Sequence, residues 1–85
     1  MADRDKARRD LAEADRRIAE CEVRVARQIE LVAALRTAGG DVAPSENLLA
    51  TTKRSLAEMR EHRRLILASL DEGTLPPAGS EGTSR

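Results

Sequence analysis

Apolar side chains recur along the chain in alternating steps of three and four. The first series runs Leu11, Ala14, Ile18, Cys21, Val25, Gln28, Val32, Leu35, broken only by the polar Gln28. That spacing places every member on one stripe of an α-helix. A second series follows Gly39-Gly40 and Pro44: Leu49, Thr52, Leu56, Met59, Arg63, Ile66, Leu70, with polar members at Thr52 and Arg63. Two stripes joined by a short breaker predict two helices laid against each other. The expected fold is all-α: an antiparallel two-helix hairpin, coiled-coil-like in its spacing.

Local signals set the expected boundaries. Asp3 is a candidate N-cap, and Asp5 suits the positive end of the helix dipole. From there to Ala38 the chain has no Gly or Pro and is dominated by good helix formers. Helix 1 is therefore expected over about 3–38. Its first ten residues hold no large apolar side chain except Met1, so they are expected to be solvated and frayed. Acidic-before-basic pairs at i,i+4 (Asp5 with Arg9, Glu13 with Arg17, Glu20 with Arg24) are expected to support the exposed face by roughly 0.2–0.5 kcal/mol each. Gly39-Gly40 closes the helix, because Gly accepts the left-handed conformation at no steric cost. Asp41 can stabilise the following turn. Residues 39–43 form the expected loop.

Pro44 lacks an N–H and fits the first position of helix 2, with Glu46 in its first turn. Helix 2 is expected over about 44–72, ending at Gly73. Thr51-Thr52 is a weak spot, since β-branched side chains lose χ1 freedom in a helix. Residues 73–85 combine Pro, Gly and small polar residues and read as a disordered C-terminal tail, leaving 1–72 as the hairpin domain. At 1.5 Å per residue the helices are roughly 50 and roughly 40 Å long, so the N-terminal end of helix 1 is expected to project.

Matching Leu35 to Leu49 across the loop makes paired positions sum to about 84 at heptad spacing. In that register Val25 meets Met59, Gln28 meets Leu56, Ala14 meets Leu70, and Glu22 falls beside His62 and Arg63. Cys21 lands near the same two residues. Gln28 is then either a buried polar group that sets register or a half-exposed one whose amide reaches water.

Composition sharpens this picture. The chain has 85 residues, at most one domain, and no Phe, Tyr or Trp, so its core rests on aliphatic and small side chains. Two helices bury little, which favours a homodimer as a four-helix bundle or docking onto a protein partner. Ile29 and Leu31 flank the first stripe on opposite sides, and Leu48 and Leu67 flank the second. These four are the candidate interaction face. Leu65 points away from the stripe, an ordinary exposed Leu.

Charge excludes more than it suggests. Fifteen basic residues balance fifteen acidic ones, and charged residues make up 35%. A general polyanion binder would carry a basic excess. The arginine clusters, Arg60 to Arg64 above all, still leave a nucleic-acid-associated protein as the alternative reading. Acids interleave with those clusters and no aromatic residue is present to stack on bases, so nucleic acid is not the expected partner. Cys21 is the one cysteine and His62 the one histidine. A structural zinc site wants four ligands, mostly Cys or His, and a Cys–His nucleophile needs a water-excluding pocket. No enzyme, cofactor or metal is expected, and Cys21 reads as a packed core residue. No disulfide can form within the chain, no apolar leader opens it, and no run is long enough to cross a bilayer. The expected location is cytoplasmic.

Four short motifs carry a resemblance: Ala26-Arg27-Gln28, Gly40-Asp41, Leu48-Leu49-Ala50-Thr51 and His62-Arg63. In this order the segment from Arg24 to Leu67 resembles short helical-hairpin proteins of alphaproteobacteria. Those proteins often carry a His between the loop Gly and Asp. This chain lacks it, so a role for a loop histidine does not transfer. The resemblance covers about half the chain and implies the hairpin, with no activity attached.

Overall fold

A computed structural model describes residues 2–74. It contains two helices, α1 (Ala2–Thr37) and α2 (Ala43–Thr74), packed as an antiparallel hairpin. The antiparallel sense is written in three cross-helix ion pairs. Arg36 pairs with Glu46 beside the loop, Glu22 with Arg60 farther out, and Asp15 with Arg63 beyond that. The molecule measures 61 × 28 × 13 Å, and its thinnest dimension is about one helix diameter. Each helix thus covers only one side of its neighbour.

The turn between the helices is made by local chemistry. Gly39 has φ +76°, the left-handed region. Its N–H donates to the Arg36 carbonyl at 3.1 Å, and the Gly40 N–H donates to the Leu35 carbonyl at 2.8 Å. This is a Schellman closure, which satisfies carbonyls that the helix end would otherwise strand. The Asp41 carboxylate then accepts from the Ala43 N–H at 3.1 Å, as expected of an Asp before a helix start.

Helix ends differ from the sequence expectation by one or two residues. Helix 1 spans Ala2–Thr37 instead of about 3–38. Helix 2 starts at Ala43 instead of Pro44, because Asp41 caps the Ala43 N–H and the Glu46 N–H already donates to Val42 at 2.8 Å. Pro44 still falls in the first turn, where its missing N–H costs nothing. Helix 2 also continues through Gly73 to Thr74. The rest of the expected tail, 75–85, lies outside the described residues.

The buried core is small. Among the described residues Ala14, Cys21, Val32 and Leu56 are the buried apolar side chains, joined by Thr52. Cys21 is the deepest, 1% exposed. Thr52 is accommodated because its hydroxyl donates to the Leu48 carbonyl one turn back, at 2.9 Å.

The seam runs about one heptad out of the expected register. Cys21 sits against Thr52, with its thiol 3.8 Å from the Thr52 carbonyl oxygen, and not beside His62 and Arg63. Ala14 shares a groove with Met59 instead of meeting Leu70. Glu22 does make the expected interhelical contact, yet its partner is Arg60, at 2.9 Å. The bare N-terminal projection is absent as well: Arg4, Ala7 and Asp10 are half-buried. A heptad pattern looks the same after sliding by seven, so both registers set apolar against apolar. The closed turn and the three ion pairs select one.

Candidate interaction surface

The two sides of the helix seam can be told apart by what crosses them. Glu22 and Arg60 bridge the helices on one broad face. An open groove of about 620 Å³ marks the other, lined among others by Asp10 and Arg17 of α1 and by Ser55 and His62 of α2. Residues seven apart share a helix face. Ile29 follows Glu22 by seven, and Leu67 follows Arg60 by seven, so both belong to the ion-paired face. Leu31 follows Arg17 by fourteen, and Leu48 precedes Ser55 by seven, so both belong to the grooved face. The four candidate residues therefore form two pairs on opposite faces.

Exposure separates them further. Ile29, Leu31 and Leu48 are each about half exposed, at 47%, 49% and 54%, while Leu67 is only half-buried against the hairpin. Leu65 is exposed, as the stripe implied, and Val23 joins it at 50%. Val23 was not legible as a surface candidate, because one Val two residues from a stripe member carries no periodic signal.

Gln28 lies in the seam one turn before Leu31. Its side-chain oxygen is buried and has no hydrogen-bond partner. The oxygen does not reach water, and a buried acceptor left unpaired costs about 1–3 kcal/mol.

Three of the clustered arginines are neutralised locally. Arg16 bridges Glu13 and Glu20 at 2.5 and 2.7 Å, Arg8 lies 3.9 Å from Asp5, and Arg64 holds Glu61 at 2.6 Å. The expected partners Arg9, Arg17 and Arg24 are not the ones used. Arginine at i+3 meets the carboxylate as readily as at i+4. Arg9, Arg17, Arg24 and Arg27 make no ion pair among the described residues.

The local pairs shift proton affinities. The hydrogen bond from Arg16 holds the Glu13 carboxyl below its ordinary value of 4.5 and raises the Arg16 guanidinium in return. Arg64 acts on Glu61 in the same way. A carboxylate with a depressed folded pKa stabilises above its unfolded value, and loses that contribution as the pH falls through the folded one. Both pairs are exposed, so the effect is small and weakened by salt. Circular dichroism during acid titration is expected to show a modest helix loss beginning below pH 4.5. Helicity that rose on acidification would contradict the assignment.

His62 is exposed in the open groove, while Cys21 is sealed in the seam against Thr52, so the structure does not bring the two together. Among the described residues no three His, Cys, Asp or Glu side chains are grouped to hold a metal ion. No helix among them is long and apolar enough to cross a membrane. No known family model matches the chain, and neither a curated protein nor a solved structure matches it.

Proposed function

We propose that the chain is a small, non-catalytic protein-interaction module that acts in the cytoplasm through an apolar helical face. The observation that carries this reading is the exposure of Leu31 and Leu48, side by side in heptad terms on one broad face near the loop. A chain with four buried apolar side chains among its described residues can ill spare two leucines to water, and covering each is worth about 1.5–3 kcal/mol. The groove farther from the loop on the same face is open to solvent, which suits docking better than catalysis.

A nucleic-acid-associated role is the second reading. It draws on Arg17, Arg24 and Arg27, which lack ion-pair partners among the described residues. Zero net charge and the absence of aromatic side chains weigh against it. Capture from the native cell with wild type and a Leu31→Asp/Leu48→Asp variant tests the first reading: a specific partner should be retained by wild type and lost by the variant. Binding to duplex or single-stranded nucleic acid that weakens steeply with added salt would favour the second.

A further inference from the structure

We infer that the occupant of the grooved face is a second copy of this chain, packed with both loops at the same end so that α1 of one copy lies antiparallel on α2 of the other. This rests on the interaction reading above and names its partner. Two observations point to it.

The first is apolar matching. A twofold axis parallel to the helices keeps each residue at its own height and exchanges α1 for α2. In the observed register Leu31 and Leu48 stand at nearly one height, so Leu31 of each copy meets Leu48 of the other. Four half-exposed leucines then close into one cluster. This is an isologous contact, self-complementary by symmetry.

The second is charge. Arg24 precedes Leu31 by seven on α1. Glu58 lies on α2 at the edge of the groove. Neither has an ion-pair partner among the described residues. Side chains tilt toward the N-terminus of their own helix. In the antiparallel pairing of α1 on the second copy's α2, Arg24 and Glu58 therefore lean toward each other, and the symmetry makes the contact twice. The opposite face is less favourable. Its cross-helix charges are already paired within the hairpin, and covering those pairs would cost their desolvation.

Charge reversal with complementation tests the pairing on the full chain. Wild type is expected to sediment at twice the mass of one chain, with a melting temperature that rises with protein concentration. Arg24→Glu and Glu58→Arg should each weaken self-association about tenfold or more, because each sets like charges together twice. Mixed in equal amounts, the two variants should form a heterodimer of wild-type strength, since both contacts are then complementary. Loss of folding cannot imitate that recovery. Leu48→Glu should dissociate the dimer, and Ile29→Glu, on the other face, should not.

A wild type that stays monomeric and stably folded at hundreds of micromolar would overturn the inference. So would a mixture that fails to recover, or a dimer broken by Ile29→Glu and spared by Leu48→Glu. A monomer that still captures a cellular protein through Leu31 and Leu48 would sink the second copy alone. A monomer that captures nothing would sink the interaction reading with it.

Discussion

Leu56→Ala is expected to cost about 2–5 kcal/mol, enough to leave much of the chain unfolded at room temperature. Leu56 is 6% exposed and is one of four buried apolar side chains among the described residues. Truncation removes transfer free energy and leaves a cavity that two long helices cannot collapse without breaking their shared seam. Urea titration followed by circular dichroism measures it. Glu22→Ala supplies the contrast. It deletes the 2.9 Å pair with Arg60, in which both side chains are more than half exposed, and is expected to cost at most about 1 kcal/mol. Ile18→Ala should fall between them, since Ile18 is half-buried. If Glu22→Ala proved the most damaging, the hairpin would be held by charge and not by its apolar seam.

The second large effect concerns the Cys21 thiol. At 1% exposure it cannot meet a reagent in solution without separation of the helices around it. Its reaction with an aromatic disulfide reagent is expected to run at least about a hundredfold slower in the folded chain than in denaturant, limited by the opening equilibrium. Because Cys21 faces Thr52 near the middle of the seam, the rate reports helix separation and not fraying at the ends. Leu56→Ala should abolish most of the protection, and Glu22→Ala should leave most of it. If the inference of a second copy holds, protection should also increase with protein concentration. A thiol that reacted at the unfolded rate in native buffer would place Cys21 on the surface and overturn the register.

The same residues show how far local signals reach. Both helices and the turn between them were legible in the sequence because their causes are local. The three-and-four spacing sets the buried stripe, Gly39 closes α1 with φ +76°, and Asp41 caps the start of α2. The candidate surface was legible only residue by residue. Ile29, Leu31, Leu48 and Leu67 all flank a stripe, yet nothing in their spacing says which side of one helix meets which side of the other.

The order of residues alone thus dictates two amphipathic helices joined at Gly39-Gly40, since every signal involved acts within a turn or two of its own residue. Register is a property of the packed hairpin. A stripe repeating every seven residues is nearly degenerate under a shift of seven, so the apolar pattern scores both alignments alike. The choice comes from the closed turn at the loop and from Arg36, Arg60 and Arg63 reaching across to Glu46, Glu22 and Asp15. That choice places Cys21 against Thr52, leaves His62 in an open groove, and parts the four flanking apolar residues between two faces.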